Sequence, residues 1–264
     1  MKKFFKLSDA IQDAKTKLRD LGTTVHTEKW QGMDITEKPE FRMWELLNYS
    51  FSATIPNDIE ILKQEVKPNI PWAEDHFLER VAGEPINPGN EYKNWPSYKN
   101  KSNDKFRIEE EKFSHTYMER IWGNYASSEG KKGDILNHGI RYDYGDLGDV
   151  LDLLEKEPFT RQAFLPIWFP EDTGVKFGGR VPCTIGYHFI RRHNWLHVVY
   201  YIRSCDFLRH FRDDVYLCSR KVMWIIDRLK ERDPEKWNNV VPGTITMHIT
   251  SLHIFEGEKF LLTK

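Results

Sequence analysis

With 264 residues, 39% hydrophobic and 30% charged, the chain has enough apolar material for one sizeable core and lies within the reach of a single α/β domain. A formal net charge of −1 excludes the strongly basic balance of a general nucleic-acid or acidic-membrane binder and leaves room only for a local anion site. Ser8 and Asp9 interrupt the basic, briefly apolar start before a signal-peptide core can form, and no apolar run is long enough to span a bilayer, so a soluble, cytosolic protein is expected.

Residues 8–21 read as an amphipathic helix: Ser8 can cap it, Ile11, Ala14, Leu18 and Leu21 share a face, and Gly22 suits the position after its end. A polar, extended stretch runs to Thr36, and a second helix is expected over 40–52, placing Glu45 among Phe41, Trp44, Leu47 and Asn48. Pro56-Asn57-Asp58 restarts the chain into a short helix. From 67 to 105 Pro, Asn, Gly and Lys dominate around a helical segment at 72–82, and an excursion of this length is expected to be a lid or binding loop. Residues 106–122 suit a charged helix leading to Tyr117 and Trp122, and 146–156 a clearer one through Leu147, Val150, Leu151 and Leu154.

The texture then changes. Segments 161–169, 184–191 and 196–203 are rich in aromatic and β-branched residues and read as strands, the last two joined as a hairpin through His193-Asn194. Val215, Cys218, Val222, Ile225, Ile226 and Leu229 recur at helical spacing until Pro234, and a final strand is expected over 244–255. Together these make one domain over 1–264 of α/β (α+β) class, without a repeat, a Gly-rich phosphate loop or a dinucleotide fingerprint.

The three cysteines, Cys183, Cys205 and Cys218, lack the spacing of a disulfide framework or a zinc site, so thiols and no metal are expected. Cys183 follows Pro182 at a strand entrance, where the nearby Arg180 favours a thiolate. Alone, such a cysteine is more often an inert core residue. The whole order is more specific: Arg161, Pro182-Cys183-Thr184, Arg203-Ser204-x-Asp206, Asp214 and Ser251-Leu252-His253. From about 155 to 255 this order resembles thymidylate synthases and, more closely, the phage-type deoxycytidylate hydroxymethylases of that superfamily.

The resemblance implies a twisted mixed sheet packed against helices, and a homodimer joined sheet to sheet. It implies that Cys183 adds to C6 of a pyrimidine nucleotide, that Arg203 and Ser204 hold the phosphate, and that Arg161 reaches the partner's phosphate across the dimer. Asp206 would lie near the base, His253 at the sugar, Glu45 among the waters that move protons, and Tyr117 along the cavity. Thr184, next to the nucleophile, matches the hydroxymethylases, and His188 stands where the family usually has glutamine. Gln162 replaces a second arginine, and Phe255 a tyrosine whose hydroxyl bonds the ribose.

Asp214 bears on the base. Thymidylate synthases have asparagine there, which can both donate to and accept from uracil; a carboxyl accepts from the cytosine N4 amino group and, when protonated, donates to N3, while uracil O4 meets an acceptor. A cytosine nucleotide is therefore expected over dUMP, and the resemblance implies conversion of dCMP to 5-hydroxymethyl-dCMP with methylenetetrahydrofolate as cosubstrate. The chain ends soon after His253, so the 67–105 excursion is expected to cover folate instead, with Trp72 and Trp95 against it. Reductive methylation at C5 and a non-catalytic nucleotide-binding role are the alternatives.

Overall fold

A computed structural model describes residues 1–30, 33–94, 112–113, 115–122, 145–173 and 181–263. In chain order its regular elements are β1 (Lys2–Phe4), α1 (Leu7–Leu21), β2 (Thr23–Val25), β3 (Lys29–Trp30), β4 (Met33–Asp34), β5 (Met43–Thr54), α2 (Ile59–Val66), α3 (Trp72–Arg80), α4 (Tyr117–Ile121), α5 (Leu147–Lys156), β6 (Phe164–Pro166), β7 (Thr184–Arg192), β8 (Trp195–Asp206), α6 (Phe211–Arg232), α7 (Pro234–Trp237) and β9 (Val241–Phe255). Short 3-10 turns link some of them.

Seven strands form one mixed sheet in the order β1-β5-β9-β8-β7-β6, with β2 also pairing β5. β9 lies antiparallel to β5 and parallel to β8, which forms the expected antiparallel hairpin with β7. His193, at the hairpin turn, takes a left-handed φ of 52°. One face of this sheet carries the core. Ile245, Met247 and Ile249 of β9, Val198, Tyr200 and Ile202 of β8, and Tyr187 and Phe189 of β7 are buried there against Val215, Val222, Ile225, Ile226 and Leu229 of α6. Helices α2, α3 and α5 pack on α6, and α1 packs on β5. The opposite face presents Ser50, Ile190, Val199, Tyr201, Thr246 and His248, all partly or fully exposed, with Tyr201 and His248 stacked at 5.4 Å.

At one level β5, β8 and β9 exchange faces together, and β7 does so close by. Inward residues run 49, 51, 53 in β5 but 44 and 46 before them; 245, 247, 249 then 252, 254 in β9; 198, 200, 202 then 205 in β8; and 184 then 187, 189 in β7. The register places the breaks of β5, β8 and β9 side by side, between the row Leu47–Ser251–Ser204 and the row Tyr49–Ile249–Ile202, while β7 changes phase next to them, at its bulge between Thr184 and Gly186. Asn48 supplies the irregular backbone in β5 with φ 54°, a conformation that asparagine tolerates better than most residues.

Several sequence expectations need correction. Residues 40–52 are not a helix: Met43–Thr54 is a strand paired along its length with β9, and cross-strand packing overrides the helical spacing. Helix α1 starts at Leu7, with Lys6 rather than Ser8 at its cap and the Glu65 carboxylate accepting the Leu7 N–H at 2.8 Å. Gly22 is extended rather than left-handed, and a side chain there would collide with the indole of Trp44, which donates to the Leu18 carbonyl at 2.7 Å. Within 106–122 the described helix is only α4, and residues 106–111 lie outside the described part. Helix α6 begins at Phe211, so Asp214 lies inside its first turn. Helices α2, α3 and α5 fall where expected, α2 capped by Asp58, whose carboxylate accepts the Glu60 and Ile61 N–H groups. Among the described residues no helix is long and apolar enough to cross a membrane.

Candidate active site

Beyond the line where the strands change face, β5 begins, β8 and β9 end, and β7 is entered through Cys183. Arg203 fastens that entrance. Its backbone N–H donates to the Cys183 carbonyl at 2.9 Å, its Nε to Pro182 O at 2.9 Å and its Nη2 to Val181 O at 3.3 Å, and its guanidinium lies 5.5 Å from the Trp168 ring. Cys183 is partly exposed, whereas Cys205 and Cys218 are buried. Burial pushes the Cys205 thiol far up and the Cys218 thiol to about 12, so neither is disposed to ionise.

A chain of hydroxyl groups leads inward from Thr184. Its backbone N–H donates to the Tyr117 hydroxyl oxygen at 3.4 Å, and its Oγ1 lies 3.3 Å from the same oxygen. The same Oγ1 lies 2.9 Å from the Tyr200 hydroxyl, which donates to Asp214 Oδ1 at 3.5 Å. Cys205 Sγ faces Asp214 Oδ2, also at 3.5 Å. Desolvation raises the Asp214 carboxyl to about 7; Arg80 opposes the rise and the adjacent Asp213 reinforces it. Burial likewise raises the Tyr117 phenol to about 12, with the nearby Cys183 adding to the effect and Arg80 opposing it.

Two buried cations flank this chain. The Arg80 guanidinium lies 4.2 Å from the Tyr117 ring centroid and its Nε donates to His76 Nε2 at 2.8 Å. Lys221 Nζ lies 3.5 Å from the centroid of Tyr187, whose ring stacks on Tyr200 at 4.7 Å. Lys221 makes no ion pair among the described residues, and burial, with Arg80 adding, pulls its ammonium down to about 7.

A second polar group occupies the neighbouring strand ends. The register sets Glu45, His253 and Asp206 in one row across β5, β9 and β8. Ser251 donates a short bond to Glu45 Oε1 and lies 3.3 Å from His253 Nδ1, while burial lowers the basicity of that imidazole. Asp206 accepts the backbone N–H groups of Leu208 and Arg209 at 3.0 Å each and the Arg209 guanidinium at 2.9 Å. Cys205 and Asp206 are consecutive and point to opposite faces of β8, so the two polar groups flank one strand end.

Of the residues expected at the site, Cys183, Thr184, Tyr117, Asp214 and Arg203 therefore meet, and Glu45, Asp206 and His253 meet beside Ser251 and Ser204. His188 does not join them: it lies on the opposite face of the sheet from Thr184, 5.9 Å from the Phe164 ring, and its Nε2 is 2.9 Å from the Arg161 carbonyl. Arg161 is exposed at that same place. Trp72 is buried, stacks on His76 at 5.0 Å and donates to the Glu91 carbonyl at 3.2 Å, so it is committed to packing rather than open to a ligand. Trp95 and Arg180 lie outside the described residues. Sequence reasoning missed Tyr200, Arg80 and Lys221, which read respectively as a strand aromatic, a last-turn base and a helix charge.

Among the described residues no cluster of His, Cys, Asp and Glu has the makings of a metal site. No protein-family model matches the chain, and no curated protein matches it. Chemically, the first group offers a partly exposed thiol beside a phenol that meets the N–H and hydroxyl of Thr184, linked to a carboxyl raised to about 7. That set suits nucleophilic addition accompanied by movement of a proton.

Proposed function

We propose that this chain is a pyrimidine-nucleotide C5 one-carbon transferase, converting dCMP to 5-hydroxymethyl-dCMP through a transient bond between Cys183 Sγ and C6 of the base. The observation that carries the reading is the joining of a partly exposed Cys183 to Asp214 through Thr184, Tyr117 and Tyr200, since the nucleophile and the reader of the base edge must address one ring. Thiolate addition at C6 makes C5 enamine-like and able to attack an electrophilic carbon. In this reading methylenetetrahydrofolate supplies that carbon as a second substrate; with Trp72 packed inside and Trp95 outside the described residues, no described side chain is assigned to hold it. Asp214 accepts from cytosine N4 as the carboxylate and donates to N3 once it holds a proton, and both states are within reach near neutrality. Tyr117 faces the C5 proton. Arg203, with Nη1 unused among the described residues, and Ser204 address the phosphate, and Glu45 with His253 addresses sugar and water.

The partly apolar open face of the sheet, with Arg161 and His188 along it, supports a homodimer joined through that face in a cytosolic enzyme. One observation favours a binding-only protein instead: Arg203 spends two of its guanidinium donors on carbonyls of its own chain. Tritium release from [5-³H]dCMP separates the two readings. Release that disappears in Cys183→Ala supports the transferase, and none from the wild type with any pyrimidine nucleotide, with or without the folate, sinks it. A mass spectrum of products from dCMP, CMP and dUMP identifies the base, and a dihydrofolate absorbance signal matching turnover would mean reductive methylation instead.

A further inference from the structure

Tyr117 is an awkward proton acceptor as it stands, because its phenol carries its own hydrogen at neutral pH. That hydrogen needs somewhere to go. The groups around Tyr117 are Cys183, the Arg80 guanidinium, Asp214 and both donors of Thr184, and of these only Thr184 leads further inward through hydroxyl groups. Thr184 and Tyr200 are each 1% exposed, so water does not compete for their hydrogen bonds. Each hydroxyl has one hydrogen and can accept another, so the row has two polarities. With Asp214 ionised, Tyr200 donates to Asp214, Thr184 to Tyr200 and Tyr117 to Thr184; with Asp214 protonated every bond reverses and Tyr117 turns its hydrogen outward.

We propose that Thr184 and Tyr200 are positioning residues forming a hydroxyl relay, through which the proton leaving C5 of the substrate is passed from Tyr117 to the Asp214 carboxylate. This rests on the transferase reading given above. The C5 proton bonds to the Tyr117 oxygen as the Tyr117 hydrogen moves to Thr184 Oγ1, that of Thr184 to Tyr200 and that of Tyr200 to Asp214. The C–H electron pair stays on the base, and the net change is one proton from C5 to a carboxylate, with no oxidant or reductant. The proton delivered to Asp214 is then the one that the same carboxyl presents to N3. The links of 3.3 and 3.5 Å are longer than a resting hydroxyl pair, as such bonds often are before substrate draws the site together. The groups acting on the receiving carboxyl are Arg80 from α3, Asp213 from α6, and Cys205 and Tyr200 from β8.

The test compares wild type, Tyr200→Phe, Thr184→Val and Thr184→Ser. Tyr200→Phe removes one oxygen and is expected to bind dCMP as wild type does while slowing tritium release about 10- to 100-fold, within the range attributed to general acid–base help. It should also abolish the rise of release with pH that follows Asp214 ionisation. Thr184→Val should behave likewise and Thr184→Ser should restore release, which a purely structural role for the side chain would not produce. The carboxyl C=O absorption of Asp214, read by infrared difference spectroscopy, checks the contact without turnover: its titration should move upward when the Tyr200 donor is lost. Active wild type with Tyr200→Phe releasing tritium within two-fold of it, or an unmoved Asp214 titration, overturns the relay alone. Inactive wild type overturns the transferase reading and the relay with it.

Discussion

Replacing Asp214 by asparagine keeps the shape of the side chain and removes its titration, so it isolates what a buried carboxyl does to stability. In the folded chain desolvation raises that carboxyl to about 7 from an ordinary value of 3.8. The sign follows from proton counting: between these values the folded chain holds a proton that the unfolded chain has released. The stabilisation is therefore complete below the unfolded value and is lost as pH rises through about 7. At about 1.4 kcal/mol per unit the full shift corresponds to ~4 kcal/mol. The residue is only partly buried overall although its carboxyl is enclosed, and water reaching it lowers the figure to roughly 2–4 kcal/mol. Asparagine also has only one oxygen to accept with, so it can serve Tyr200 but must offer its amide hydrogen to Cys205, an offset of roughly 1 kcal/mol that does not vary with pH. Because more than a third of the effect is already lost at pH 5, urea unfolding at several pH values between 5 and 8 should show Asp214→Asn gaining on wild type by roughly 1–2.5 kcal/mol as pH rises. A difference that stays constant across that range would refute the assignment of a raised carboxyl. The same variant should shift base preference towards dUMP, and unchanged selectivity would remove the reason for choosing cytosine.

Lys221→Met carries the opposite sign. The unfolded chain binds the Lys221 proton between about 7 and 10.5 while the folded chain does not, so the variant should be more stable by roughly 3–5 kcal/mol below pH 7, with the gain vanishing above about 10; a gain independent of pH counts against a depressed lysine. Asp172→Ala strips the buried Arg120 guanidinium of bonds at 2.6 and 2.9 Å and should cost about 3–5 kcal/mol by chemical denaturation, whereas a loss below about 1 kcal/mol would show that the pair is not desolvated. On the proposed pairing through the open sheet face, wild type should sediment as a dimer and Tyr201→Glu as a monomer with an unchanged circular dichroism spectrum; a monomeric wild type removes the pairing, and a dimer unaltered by the substitution places the interface elsewhere.

The parts of the fold legible in the sequence are those whose periodicity is unbroken. Helix α6 repeats its apolar positions over six turns, and β7 with β8 alternates on both sides of a two-residue turn. Strand β5 was illegible for a specific reason: its inward face changes at Leu47–Asn48, so the inward Leu46 and Tyr49 fall at a spacing of three and the alternation of a strand is broken. The candidate site divides the same way. Cys183, Thr184 and Asp214 could be located by residue type and order, and the structure brings them to one place. Tyr200 gave no signal, because an inward tyrosine in a β-rich alternation is the ordinary filling of a core. Only the carboxyl facing it from α6 makes its hydroxyl informative.

The shared change of face in β5, β8 and β9 also constrains how this chain can vary. Losing Asn48 by itself would leave β8 and β9 in their present phase and rotate Glu45 into the helix-covered layer, trading places with Leu46. Restoring the pattern would need a matching loss in every adjoining strand, so length changes here have to occur in concert. A family tree of such proteins should show insertions crowding the connecting segments and an unvarying residue count between Trp44 and Tyr49.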